Sequence, residues 1–332
     1  MTGRHVQHLL AGLAIAAPLA LGTVLAPAPP SGHQVLSFRD PAIVEASALV
    51  VQDGLFVTTN DSGDTGRVFV VDRSGHTVGV THWSGDPTDT EALAPGGRGF
   101  VWVGDIGDNL ARRPSIEIAR IPVGRGERTV RSPTYRLVYP DGASDAETLV
   151  RDPGTGRLYV ATKNVFGGVL YAVPPQLDAS HPNRLRAVGR VLPMATDGAF
   201  FPDGRHLIVR SYDTAVVYAW PSLQPVGSFA LPEQQQGEGI AVADDGSVYV
   251  SSEGVHSSVL RVTLPPKLAV AVRPEVSAGP TSPTPSGRTA SSAAAPDPAS
   301  VEPVGRDAWP YLAGGLLAVV ALVVLVRSLR PR

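Results

Sequence analysis

A pattern that recurs five times between residues 43 and 264 constrains this chain more than any other feature. Each unit opens on an acidic residue at the head of a short apolar strand, turns through Gly, Pro or Asp, and returns through a second strand. The first unit is headed by Glu45 and covers 45–51, turns at 52–54 and returns over 55–61. The others are headed by Glu91 (91–94, returning over 100–105), Glu147 (147–150, over 158–163), Asp197 (197–201, over 206–211) and Glu238 (238–242, over 248–253). A third strand follows each hairpin, at 67–72, 115–121, 169–173, 215–220 and 259–264, and four units show a fourth, at 77–83, 135–139, 185–191 and 226–231. The fifth unit has no fourth strand of its own. Residues 34–38 form a lone strand ahead of the first unit that fits the gap and closes the ring. The period of about 44 residues is that of a four-stranded propeller blade.

The expected fold is therefore an all-β β-propeller of five or six four-stranded blades. A sixth blade has room between Asn109 and Gly142, in the longest unit. A β-sandwich would account for strands and turns, but not for an acidic residue heading five successive units. The 35 Gly and 31 Pro among 332 residues suit many short strands and turns and argue against a helical bundle. Zero Cys excludes disulfides, thiolate metal sites and cysteine nucleophiles. A net charge of −2 argues against a nucleic-acid binder held by a basic surface.

In a propeller blade the first strand lines the central channel and the second runs back beside it. The head of strand one and the end of strand two then share one mouth of the channel. This groups Glu45 with Asn60 and Asp61, Glu91 with Asp105, Glu147 with Lys163, Asp197 with Arg210, and Glu238 with Glu253. Carboxylates crowded there repel one another by about 4 kcal/mol for a pair ~4 Å apart at an effective dielectric near 20. A bound cation, basic partners or shared protons relieve that repulsion. Oxygen ligands without His or Cys suit a hard divalent cation such as Ca²⁺. On this basis Glu45, Asn60, Asp61, Asp105 and Glu253 are candidate metal ligands. Lys163, Asp197, Arg210 and Glu238 are candidate ligand-binding groups, and Glu91 and Glu147 candidate general bases. The loops at 60–64 and 104–109 share a D-x-G-D core that serves either a metal or ordinary turn chemistry. Asp89 and Asp145 precede Glu91 and Glu147 in a repeated D-x-E and read as inter-blade hydrogen bonders. Nucleophile-elbow, zinc-protease and nucleotide-binding motifs are all missing from the sequence.

The two ends read differently. Residues 1–30 carry Arg4, a long apolar run and a small-residue exit, the layout of a secretory signal. Residues 31–266 hold the propeller. Residues 267–308, rich in Pro, Ser, Thr and Ala, read as a disordered stalk, with 267–273 patterned as one last strand ahead of it. Residues 309–332 read as a single transmembrane helix: Trp309 and Tyr311 as interface anchors, an uncharged run over 312–326, and Arg327, Arg330 and Arg332 on the cytoplasmic side. The expected address is the cell membrane, with the main domain extracytoplasmic.

The hairpin repeat, the turns Pro202-Asp203-Gly204 and Asp244-Asp245-Gly246, and the acidic ring resemble bacterial exported propellers of the NHL, TolB-like and gluconolactonase-type group. The resemblance covers residues 34–266. In the gluconolactonase-type members a divalent ion sits in the channel mouth on a first-strand Glu, a position that Glu45 resembles, and on Asn and Asp from other blades. The expected function is a membrane-anchored propeller that binds a ligand, a metal or an envelope partner protein at its acidic mouth. The alternatives are a metal-dependent lactonase or esterase, and a structural envelope protein without a ligand.

Overall fold

A computed structural model describes residues 32–61 and 63–273. The segments read as signal, membrane helix and nearly all of the stalk lie outside the described residues. Within them the chain forms five sheets, each built on four antiparallel strands, arranged as the blades of a β-propeller.

Blade 1 contains β2 (Val50–Gln52), β3 (Leu55–Thr59), β4 (Arg67–Val71) and β5 (Thr77–Trp83). Blade 2 contains β6 (Thr90–Pro95), β7 (Phe100–Asp105), β8 (Ile116–Pro122) and β10 (Thr134–Val138). Blade 3 contains β11 (Ala146–Arg151), β12 (Leu158–Thr162), β13 (Val169–Ala172) and β15 (Arg186–Arg190). Blade 4 contains β16 (Asp197–Phe200), β17 (His206–Arg210), β18 (Thr214–Ala219) and β19 (Gln224–Ala230). Blade 5 contains β20 (Gly237–Val242), β21 (Val248–Ser252) and β22 (Ser258–Val262). Its fourth strand is the N-terminal β1 (Gly32–Ser37), antiparallel to β22, so the lone strand does close the ring.

The inner strands touch in the cyclic order β2, β6, β11, β16, β20 and back to β2. Period-two side chains bury both faces of each blade, because every face meets a neighbour. Phe56 of β3 packs toward blade 5, edge-on to Tyr249 with ring centroids 5.4 Å apart, while the adjacent Val57 packs toward blade 2. Five apolar clusters result, each shared by two neighbouring blades.

The blade count is five. The extra length between Asn109 and Gly142 goes to a strand exchanged with a neighbour. There, β9 (Gly126–Val130) leaves blade 2 and pairs in parallel with β5 at the outer edge of blade 1. The short β14 (Asn183–Arg184) likewise joins the outer edge of blade 2. The exchange needs glycine at position 79, where a Cβ would lie 2.0 Å from the Gly124 carbonyl oxygen.

Residues 267–273, patterned as a last strand, instead fall in and just after a helix, α1 (Pro266–Ala271). Pro266 suits a first helical position, since its missing N–H is unpaired there in any case. Leu268 and Val272, one turn apart, bury against the apolar cluster of blades 4 and 5. No helix among the described residues is long and apolar enough to cross a membrane.

Candidate metal centre at the acidic channel mouth

The heads of the inner strands converge on one mouth, but in a register different from the one the acidic pattern suggests. Backbone hydrogen bonds fix the equivalences. Asp61 donates to the Glu45 carbonyl, Gly107 to Asp89, Lys163 to Asp145 and Glu253 to Gln236. Glu45 thus occupies the place of Asp89 and Asp145, and Ser47 occupies the place of Glu91 and Glu147. The sequence agrees once aligned this way, since Ser47-Ala48-Leu49 matches Glu91-Ala92-Leu93 and Glu147-Thr148-Leu149.

The inner strands of blades 2, 3 and 5 each shift register where the recurring Glu stands: between Thr90 and Ala92, between Ala146 and Thr148, and between Gly237 and Ile240. Glu91, Glu147 and Glu238 are therefore bulge residues, and a bulge re-aims a side chain that a regular strand would point at the neighbouring blade. All three are buried.

Asp61 of blade 1 meets Asp89 and Glu91 of blade 2, with one carboxylate oxygen of each lying within 4.8 Å of the others. Gly107 makes the space for this. A Cβ at position 107 would lie 2.4 Å from Asp89 Oδ2 and 2.8 Å from Glu91 Cγ. The equivalent positions in blades 1, 3 and 5 carry side chains: Asp61, Lys163 and Glu253.

Electrostatics at the mouth follow from burial and like charge. Burial, then the Glu147, Asp61, Asp89 and Glu238 carboxylates, push Glu91 up to about 10. Burial and a hydrogen bond with Asp61 push Asp89 up to about 7. Burial and Glu238 push Glu147 up to about 8, against the pull of Lys163. Burial and Glu238, with Asp61 and Glu45, push Glu253 up to about 7. Glu238 is also raised, by burial first.

Cations of the protein's own act in this field, with Arg113 beside Asp89, Arg210 beside Glu238 and Lys163 beside Glu147. Lys163 pairs with Glu147 Oε1 and lies 5.3 Å from the Tyr212 ring centroid. Burial alone would lower its ammonium, but the Glu147 charge and hydrogen bond outweigh that and hold it above its ordinary value. Glu147 Oε2 is buried without a hydrogen-bond partner.

Other sequence-selected residues have their polar atoms engaged within the protein. Asn60 accepts from the Val44 and Glu45 N–H groups and donates to the Ala42 carbonyl and Asp64. Asp105 accepts from the N–H groups of Thr88 and Asp89 and from Arg113 at 2.8 Å. Asp108 accepts from the N–H groups of Arg112 and Arg113, so the second Asp of that loop does turn work. Asp197, fully buried, accepts from Leu49, Gly198 and Ile240 N–H groups and joins blade 4 to blades 5 and 1. The fully buried Arg210 donates to the carbonyls of Ser211, Tyr212, Gly239 and Ser251 and to Gln234, bracing blade 4 against blade 5. The sequence reading placed Asp89 among structural hydrogen bonders and missed Gly107. The repeated D-x-E was the available signal for the former, while the glycine's role needs coordinates.

Three oxygens on one Ca²⁺, each about 2.3–2.6 Å from it, can lie up to about 5 Å apart, so the trio fits a single hard ion. No family model matches this chain, and no curated protein matches it. Among solved structures it is similar to glutaminyl cyclase of Myxococcus xanthus, at 13% identity and a TM-score of 0.46, covering 70% of this chain and 95% of that one. It is also similar to a glucose dehydrogenase, at 10% identity and 0.43, covering 71% and 100%. The hydrazine synthase of Kuenenia stuttgartiensis is similar at 15% and 0.39, covering 63% and 56%. These likenesses do not single out the NHL, TolB-like or gluconolactonase-type group, and no chemistry is carried over from them.

Proposed function

We propose that this protein is a membrane-anchored, extracytoplasmic β-propeller that holds a divalent cation, Ca²⁺ foremost, at its acidic mouth and binds its ligand or envelope partner there. The carrying observation is the convergence of Asp61, Asp89 and Glu91 from two adjacent blades on the space that Gly107 leaves. A divalent cation supplies the counter-charge that the trio lacks, since Lys163 is committed to Glu147 and Arg113 to Asp105. The address rests on the sequence of the two ends.

Calorimetry on the purified full chain tests the reading. Ca²⁺ should bind with a rise in melting temperature, and Glu91→Gln or Asp61→Asn should weaken it by more than tenfold. No heat and no thermal shift with Ca²⁺, Mg²⁺, Mn²⁺ or Zn²⁺ would sink it. Surface proteolysis of intact cells tests the address: the propeller should be cut from outside.

The alternative of a metal-dependent lactonase or esterase is favoured by the unpartnered Glu147 Oε2 beside the trio. Such a cation polarises a carbonyl and acidifies water. Glu147 would accept the water's proton while Lys163 keeps its carboxylate oriented. A lactone and aryl-ester screen separates the readings, with turnover lost in Glu147→Gln at unchanged cation affinity as the hydrolase outcome.

A further inference from the structure

The hairpin ends of the five inner strands form the other mouth of the channel and surround a cavity of about 530 Å³. This volume lies in the range of about 300–1,000 Å³ that takes small-molecule ligands. Leu49, Leu93, Val150 and Phe200 give it apolar walls from four different blades. The fully buried Asp197 of blade 4 reaches the Leu49 N–H of blade 1, a bond between non-adjacent blades that crosses the channel between its two ends.

Four ionisable side chains stand at the rim, and their arrangement is polarised. Asp244 of blade 5 and Asp53 of blade 1 neighbour each other around the ring, as do Arg98 of blade 2 and Arg151 of blade 3. None of the four side chains makes a hydrogen bond or ion pair within the described residues. A ligand of one sign gains from one half of this rim and loses to the other. A ligand with separated charges and an apolar body gains from both halves and from the walls. The geometry points to this second mouth as a binding site for a small zwitterion with an apolar body. Its anionic end faces Arg98 and Arg151, and its cationic end faces Asp53 and Asp244. A short hydrophobic peptide with free termini has that chemistry.

The test uses the full chain and trileucine, read by calorimetry, beside its N-acetylated, C-amidated and doubly blocked forms. Free trileucine should bind, each single block should weaken it about tenfold, and the doubly blocked form should be weakest. The Arg98→Gln/Arg151→Gln protein should bind free and C-amidated peptide alike, and Asp53→Asn/Asp244→Asn should do the same for the free and N-acetylated pair. Asn tolerates the positive φ of 50° at position 53, so that exchange spares the turn. Ala199→Trp, which fills the cavity, should abolish binding and leave Ca²⁺ affinity at the acidic mouth unchanged. The proposal is overturned if no form binds, if the doubly blocked peptide binds as tightly as the free one, or if Ala199→Trp binds normally.

Discussion

Gly107 is where a single missing carbon decides what the acidic mouth can hold. A methyl group there must displace the Asp89 carboxylate, the Glu91 stem or both. Gly107→Ala is expected to weaken Ca²⁺ binding at least tenfold by calorimetry, with a cooperative melting transition retained, because the position faces the mouth and not an inter-blade core. Glu91 itself gives a pH signature. Its folded pKa of about 10 stands above the ordinary 4.5, so the folded state holds a proton that the unfolded chain releases. Stability from this group is fully present below pH 4.5 and is lost progressively as pH rises toward 10. Without divalent cations the melting temperature should fall between pH 5 and 8, and Glu91→Gln should flatten that fall. An equally steep fall in the variant would mean that Glu91 is ionised at no cost. At this scale the sequence was legible in kind but not in register. Aligning units on their first Glu equated Glu45 with Glu91, whereas the backbone equates Glu45 with Asp89. A bulge shifts the two-residue alternation by one, but these inner strands are buried on both faces and show no alternation to shift, so residue types alone do not reveal it.

Strands are where the sequence spoke most clearly, above all the second strand of each blade, which is buried on both faces and reads as a run of apolar β-branched and aromatic residues. The sequence did not reveal the two-residue β14, nor β9, whose Gly126-Glu127-Arg128-Thr129-Val130 carries no such signal. It joins blade 1 at an edge, through backbone pairing to β5, and its side chains stay mostly exposed or half-buried. Residues 267–273 misled for the opposite reason, since Leu268, Val270 and Val272 alternate as a strand does while Leu268 and Val272 also share one helical face. Elements are also tied across the channel. Asp197 collects three buried N–H groups, two of them on other blades. Leaving them unpaired in a buried setting costs about 1–3 kcal/mol per group at most, reduced where water enters. Asp197→Ala is expected to lose about 2–4 kcal/mol in a denaturant titration. Asp197→Asn, which keeps one oxygen acceptor, should lose less. Equal stability of the alanine variant would show that these bonds hold nothing together.

A five-bladed ring differs from an open repeat array in that its two ends are one sheet. In an array each unit answers only to its neighbours, and damage at one end stays there. Here the first strand of the propeller completes the last blade, and the chain just after it, at Phe38, is fully buried between blades 5 and 1. Phe38 packs in the same cluster as Leu36, Phe56 and Tyr249, so it joins the closing strand to both blades. Truncating it to alanine leaves a cavity in that seam and is expected to cost about 3–5 kcal/mol. The distribution of the effect is the sharper test of closure. If the ring unfolds as one unit, Phe38→Ala should speed amide hydrogen exchange in the inner strands of all five blades by a similar factor, blade 3 included. If the blades behave as an array, exchange should quicken only in blades 5 and 1. The first outcome would also explain why an N-terminal strand is kept so far in sequence from its sheet: the loop-closure entropy of joining the ends grows only slowly with the length enclosed, while the seam it seals removes the exposed edge of β22 and stabilises every inter-blade core at once.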